Sequence, residues 1–190
     1  MTTPLTPASG ALLQARIEQV RRDPASIRTV FPALAREVAR EDGVRVAVLE
    51  ALGETLAADG PRLLAEVRDL YRHGDADERR SVLLALHRLP VGDDARDLVD
   101  DGLRTNDTRL VAAALGPYGA RVLDDASWRQ AVLKCLFTGV PLSAVHALDD
   151  RVDADLIAMV SAFADERTAA GREIPADART LLDRNVPQES

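Results

Sequence analysis

The sequence predicts an all-α protein, and two observations support that prediction. Leu, Val and Ala supply most of the 46% hydrophobic content, whereas aromatic residues make up only 3% of the chain. Ala and Leu lead the helix propensity scale, while β-rich proteins depend more on aromatic and β-branched residues. Apolar residues recur three and four positions apart in most segments, and no segment alternates convincingly as a strand would.

The helices can be placed in order from their start and stop signals. Ser9 is expected to cap the first, residues 10–22, which stops before Pro24. Each of the last five predicted helices begins with Asp, which caps the first turn and favours the positive end of the helix dipole. After the first helix, the predicted helices span residues 25–40, 44–58, 61–72, 77–89, 93–104, 107–116, 125–137 and 153–171, of which the last five are those that begin with Asp.

Three of these helical segments can be laid over one another: residues 44–52, 78–86 and 107–115. Helix pairs that recur at such a spacing are typical of α-solenoids. The sequence therefore predicts a short HEAT-like α-solenoid or an irregular stack of antiparallel helix pairs. Because helical Leu/Ala/Val patterns resemble one another, a helical bundle without repeats is the alternative.

The expected organisation is a flexible arm (1–8), one helical domain (9–185) and a flexible tail (186–190). The first residues lack the basic and apolar regions of a secretory signal, and no apolar run approaches the ~20 residues that span a bilayer. We therefore expect a cytoplasmic protein, with peripheral membrane contact as the closest approach to lipid. A net charge of −7 argues against nucleic-acid binding. No sequence pattern indicates a cofactor.

Residues 132–142, VLKCLFTGVPL, contain the only lysine and the only cysteine of the chain. Cys135 shares a helix face with Trp128, so a core thiol is favoured over a nucleophile. Lys134 is expected to extend its ammonium along a narrow polar stripe, with a functional amine as the alternative. Gly139 is placed to end this helix in a left-handed conformation, and Pro141 follows where a helix cannot continue.

The sequence DDRVD, residues 149–153, matches a DDxxD pattern that holds magnesium and diphosphate in prenyl-diphosphate enzymes. That chemistry needs the carboxylates of Asp149, Asp150 and Asp153 to converge on one metal ion. The segment precedes a helix rather than lying within one, so Asp153 is favoured as a helix cap. The three histidines are widely separated, which makes a histidine metal site improbable.

Two blocks of the sequence, residues 30–40 (VFPALAREVAR) and residues 131–173, resemble the EboA family together with the helical middle between them. The second block is the more distinctive: it contains Lys134, then Phe-x-Gly-Val-Pro-Leu, an acidic pair, and a helix that closes with Ala-Gly-Arg. The resemblance implies a helical accessory protein of a bacterial secondary-metabolism gene cluster that takes part in metabolite traffic. Such clusters also encode a UbiA-like membrane prenyltransferase and several sugar-phosphate-type and TatD-like enzymes. The resemblance supplies no catalytic residues.

The leading hypothesis is a non-catalytic scaffold that binds a partner protein of the same gene cluster or a small apolar metabolite, such as a prenylated precursor. The alternatives are a magnesium-dependent enzyme acting on a prenyl-diphosphate-type substrate, and a purely structural oligomer. The candidate groove residues are Lys134, Phe137, Pro141, Trp128 and Arg36.

Overall fold

The structure, a computed structural model, describes residues 6–185, so most of the predicted arm and the whole predicted tail lie outside the described residues. The all-α prediction is confirmed: within this range every regular element is helical and no strand is present. The α-helices are α1 Pro7–Arg22, α2 Ile27–Glu37, α3 Asp42–Thr55, α4 Gly60–His73, α5 Ala76–Ala85, α6 Arg96–Arg104, α7 Thr108–Ala114, α8 Pro117–Val122, α9 Asp125–Thr138, α10 Leu148–Arg151, α11 Ala154–Ala169 and α12 Ala176–Asn185.

Aspartate side chains begin many of these helices, and the predicted caps Asp107 and Asp153 are confirmed. Elsewhere the predicted first aspartate is not the cap: α5 uses Asp75 and α9 uses Asp124, each one or two residues earlier, and α6 has no side-chain cap. Each capping aspartate accepts a hydrogen bond from a backbone N–H in the first turn, which satisfies a donor that has no partner within the helix. The aspartates that act in this way are Asp59, Asp75, Asp107, Asp124 and Asp153. The prediction for α1 was wrong in detail, because Thr6 rather than Ser9 caps the helix and Pro7 is its first residue.

The helices pack in chain order as a stack. α3 packs on α5, α5 on α7, α7 on α9, and α9 on α11. α4 and α6 pack against α5 and α7 respectively, while α1 and α2 close the first end against α3. The three superimposable segments therefore lie mainly in α3, α5 and α7, which are neighbours in the stack. A HEAT-like superhelical repeat stays a prediction.

A continuous apolar core runs through the stack, and its largest fully buried side chains include Trp128, Tyr118 and Phe31. α9 lies deep in it, because its apolar residues face neighbours on several sides. Beyond α9 the chain forms a 3₁₀ turn at Leu142–Ala144 and the single-turn helix α10 before α11 begins. Among residues 6–185 no helix is long and apolar enough to cross a membrane.

Candidate functional site

Trp128, a candidate groove residue, is part of the core. Its side chain is 1% exposed, and the Arg151 guanidinium lies 4.7 Å from the centroid of its ring. The indole Nε1 is buried without a hydrogen-bond partner in the described part of the chain. Its contribution is packing energy, since burial of a large aromatic side chain dominates local stability.

Lys134 binds another helix rather than extending to solvent. Its Nζ donates hydrogen bonds to the backbone oxygens of Leu103, at 2.5 Å, and Thr105, at 2.8 Å. Both oxygens lie at the C-terminus of α6, where carbonyl groups lack partners within the helix and the dipole is negative. The lysine therefore connects α9 to the end of α6 instead of extending along the polar stripe of its own helix, as the sequence predicted.

Phe137 lies on the outer side of α9 and is 60% exposed. Its ring meets that of Phe163 edge to face, with the centroids 4.7 Å apart. The Arg167 guanidinium covers Phe163, at 5.6 Å from its centroid. Phe137 therefore leaves an exposed aromatic ring on α9, beside the buried ring of Phe163 on α11.

The structure does not place Arg36 on the same wall as Pro141. Arg36 is exposed in the last turn of α2, a helix that packs mainly against α1 and α3. Pro141 follows α9 and lines a cavity whose wall does not include Arg36. Of the five candidate residues, Pro141 alone lies on that wall.

The cavity has a volume of about 680 Å³ and lies between α5, α7 and residues 139–147, which we call the wall segment. Such a volume is typical of small-molecule sites. Its walls are mostly small or apolar, and the polar groups lie among them. The lining residues are Arg80, Leu84, Thr108, Arg109, Ala112, Ala113, Gly116, Pro117, Gly139, Val140, Pro141, Ser143, Ala144, Val145, His146 and Ala147.

Small residues are the reason that this space is not filled. α7 presents Ala112 and Ala113, the next turn presents Gly116, and the wall segment adds Ala144 and Ala147. Side chains this short cannot reach across to the opposite wall. The sequence signal was therefore present as a run of alanines, but helix propensity explains alanines equally well.

The wall segment begins and ends with a left-handed backbone. Gly139 has φ +76°, and Ala147 has φ +56°, which is unusual for a residue with a Cβ. Between them, the backbone N–H of Leu142 donates to Asp177 Oδ2 at 2.7 Å, and that of His146 donates to the Leu115 oxygen at 2.9 Å. These bonds hold the segment against α12 and α7, and the strain at Ala147 persists because the surroundings fix it.

Both arginines of the cavity wall are ion-paired. Arg80 Nη1 lies 2.7 Å from Asp42 Oδ2. Arg109 binds Asp77, at 2.7 Å, and Asp107, at 2.8 Å. The hydrogen bond with Arg109 is the main reason that the pKa of Asp107 is lowered, so this carboxylate stays ionised. The guanidinium charges at the cavity are therefore balanced by carboxylates behind them.

A second cavity, of about 510 Å³, lies on the other side of the wall segment. Ser143, Val145 and Ala147 line both cavities, and the second also contains Asp149, Asp150 and Asp177. The wall segment therefore separates an acidic cavity from the larger one.

The aspartates of the DDxxD pattern are not assembled as a metal site. Asp153 caps α11 and pairs with Arg129, whose Nη2 is 2.5 Å from Asp153 Oδ2. Asp149 lies 3.7 Å from Arg184. Within residues 6–185 no group of three or more metal-ligating side chains is close enough to hold an ion. This geometry agrees with the capping interpretation of Asp153.

Cys135 is fully buried in α9. Burial raises the pKa of its thiol to about 11, because the charged thiolate would lose its hydration. A nucleophilic cysteine needs the opposite shift. The geometry agrees with the prediction of a core thiol.

Sequence reasoning missed most of the cavity wall. Arg80, Arg109 and His146 come from three separate stretches, and no motif linked them before the chain was folded. Pro141 and Gly139 were noticed only as helix stop signals. What unites them is the position of the wall segment beside α5 and α7.

The comparisons with known proteins agree with the sequence resemblance. A family model described as metabolite traffic protein EboA matches residues 44–183, which include most of α3, all of α4 to α11, the wall segment and most of α12. No curated protein and no solved structure matches the chain.

Proposed function

The chain belongs to the EboA family of metabolite traffic proteins, and from this premise we propose that it is a non-catalytic carrier that binds a small, mainly apolar molecule in the cavity beside the wall segment. The binding site would lie between α5, α7 and residues 139–147. The proposal places the molecule in a space whose volume, about 680 Å³, suits a small-molecule ligand.

The observation that carries the proposal is an open cavity, one wall of which is held in place by hydrogen bonds. Ala112, Ala113 and Gly116 leave the space empty. The wall segment, held to α7 and α12 by backbone hydrogen bonds, keeps it open. A site that is already formed in the unliganded chain loses little conformational entropy when it binds a ligand. The wall segment also lies within residues 131–173, the block in which the sequence most resembles the family.

The absence of catalysis is part of the proposal. It is supported by the state of the two groups that the sequence offered as catalytic. Cys135 is buried with a raised pKa, and Asp153 is occupied as a helix cap and as the partner of Arg129. Neither group is free to act on a molecule in the cavity.

A partner protein completes the proposed carrier function. We propose that the carrier delivers its cargo to a protein of the same gene cluster, with a UbiA-like membrane prenyltransferase as the expected partner, and acts on the cytoplasmic side. The support is the family resemblance together with the exposed ring of Phe137, since exposed aromatic side chains are enriched at protein interfaces.

Native mass spectrometry of the protein, expressed together with its neighbouring genes, tests the cavity. We expect a bound small molecule in the wild type and its loss in Ala112→Leu, because the larger side chain enters the cavity. The matched control is Ala65→Leu, an exposed position in the helix α4 that does not line this cavity. A bound molecule retained in Ala112→Leu, or absent from the wild type, would contradict the proposal.

The partner is tested separately with the purified, detergent-solubilised prenyltransferase. We expect the wild type to retain this enzyme in a pull-down and Phe137→Ser to retain less of it. Equal retention by both proteins would remove Phe137 from the proposed interface, and no retention by either would remove this partner.

A further inference from the structure

The charges on the cavity wall restrict the chemistry of the molecule that the cavity can bind. Arg80, Arg109 and His146 are the titratable side chains among its lining residues. At first sight two arginines suggest a site for a phosphate or a carboxylate, since guanidinium groups commonly bind such anions. Their ion pairs argue for a different ligand.

Three carboxylates already face these two guanidinium groups. Asp42 binds Arg80, while Asp77 and Asp107 bind Arg109 from two sides. Asp42 is held further by a hydrogen bond from Ser81 Oγ at 3.0 Å. An anionic ligand would have to displace these carboxylates or lie close to them, and like charges placed together cost binding energy.

Hydrogen-bond donors without a partner among residues 6–185 nevertheless remain on the wall. A guanidinium group has five N–H bonds. Arg109 uses one each on Nε, Nη1 and Nη2 for its aspartates, which leaves two without an aspartate partner. These donors suit a neutral oxygen atom, because a hydroxyl or carbonyl group accepts a hydrogen bond without adding charge.

We infer that the ligand of the cavity is an uncharged, mainly apolar molecule with one hydroxyl or carbonyl oxygen, which accepts a hydrogen bond from Arg80 or Arg109. The inference rests on the proposed carrier function and specifies its cargo. Alanines, valines and prolines surround the apolar part of the molecule. The ion pairs select against a phosphate or diphosphate head group.

Three probes with one chain length test this selectivity on the full-length protein: 1-octanol, octyl phosphate and octylammonium. Binding is measured by calorimetry and by NMR shifts of the cavity residues. We expect 1-octanol to bind about tenfold or more tightly than octyl phosphate, because the aspartates already balance the charges of Arg80 and Arg109 that would attract the phosphate. We expect octylammonium to bind weakly as well, because it offers no acceptor to the arginines.

Two variants test whether the ion pairs of the arginines cause the weak binding of octyl phosphate. Asp77→Asn/Asp107→Asn leaves Arg109 without a charged partner, and asparagine at residue 107 can still cap α7. Asp42→Asn does the same for Arg80. Both variants should bind octyl phosphate about tenfold more tightly than the wild type does, because the phosphate can then pair with an arginine that has no charged partner. Binding of 1-octanol should be unchanged, which also shows that the cavity is still folded.

Equal or tighter binding of octyl phosphate or octylammonium by the wild type would overturn the inference and leave the carrier proposal standing. An unchanged affinity for octyl phosphate in both aspartate variants would also overturn it. If none of the probes binds, the inference fails. The native mass spectra of the wild type and Ala112→Leu then decide independently whether the carrier proposal fails with it.

Discussion

α9 and the wall segment are consecutive in the chain, yet they differ in almost every physical property. α9 is packed on several sides, with Trp128, Val132 and Cys135 nearly or fully buried. The wall segment has left-handed residues at both ends and a cavity on either side. A block that looks continuous in the sequence therefore has two roles.

The difference shows why a distinctive sequence block need not be a single site. The helical half secures the stack, because its tryptophan fills the core and its lysine binds the end of α6. The second half lines the larger cavity. Mutations in the two halves should therefore separate, with large losses of stability in α9 and changes in binding at the wall segment.

The largest effect should come from Trp128→Ala. Removing a buried indole leaves a cavity in the core, so the free energy of unfolding should fall by about 3–5 kcal/mol. Chemical denaturation measures it. Trp128→Phe is the control and should cost less, because it keeps much of the packing and removes an Nε1 that has no hydrogen-bond partner among residues 6–185. A loss below about 1 kcal/mol for the alanine variant would show that Trp128 is not packed in the core.

Lys134→Met should be the next most harmful change. The variant keeps the length of the side chain but leaves the oxygens of Leu103 and Thr105 without the ammonium. We expect a loss of about 1–2 kcal/mol, less than for a fully buried charged group because Lys134 is half-buried.

The control for Lys134→Met is Arg62→Met, at an exposed position in α4, where a change within about 0.5 kcal/mol is expected. Equal stability of the two variants would mean that the bonds to α6 contribute nothing.

Gly139→Ala tests the first end of the wall segment. A Cβ at this position would meet no atom within 4 Å, so only the backbone conformation opposes the change. At φ +76° we expect a loss of about 1–2 kcal/mol. The control is Gly43→Ala, at a position where space is equally open but φ is not positive. Comparing the thermal denaturation of the two variants gives the stability lost through the left-handed backbone alone. Similar melting temperatures would contradict a left-handed Gly139.

Ala147→Gly should have the opposite sign. Glycine adopts φ +56° without strain, although it also gains more freedom in the unfolded chain. The net result should be a stabilisation of about 0.5–1 kcal/mol. Destabilisation by Ala147→Gly would show that the strained backbone of the wall segment is not present in solution.

The smallest effect concerns Cys135, for which we expect no reaction. At pH 8 a thiol with a pKa of about 11 is almost entirely protonated, and the side chain is buried. A thiol reagent should therefore label it only when the chain unfolds, as mass spectrometry can follow. The same reagent in denaturant gives the reference rate. Rapid labelling of the native protein would place the thiol at a surface and weaken the contrast between α9 and the wall segment.

Much of this fold could be predicted from the sequence because its signals are local. Asp107 and Asp153 lie next to the helices that they cap, and Gly139 lies next to the helix that it ends. The periodic apolar residues of α4 and α9 predicted their buried faces in the same way. Local signals failed at Thr6, where two residues near the start of the chain could each act as a cap and the structure uses the earlier one.

The candidate site could be predicted only in part. Pro141 was identified within a block that resembles a family, but Arg80 and Arg109 were not, because their role depends on α5 and α7 lying beside residues far along the chain. The partner of Lys134 was missed for the same reason. Nothing in residues 132–142 indicates that the end of α6 lies within reach of the ammonium.

The sequence by itself determined that the protein is all-α, where most of its helices begin and end, and that it belongs to the EboA family. These features follow from caps, breaks and periodicity within one or two helical turns. Only the tertiary structure decided which residues surround the cavity and which charges are balanced. It also decided that Lys134 binds the end of α6. Those properties depend on contacts between helices distant in sequence, because burial and ion pairing are set by neighbours in space.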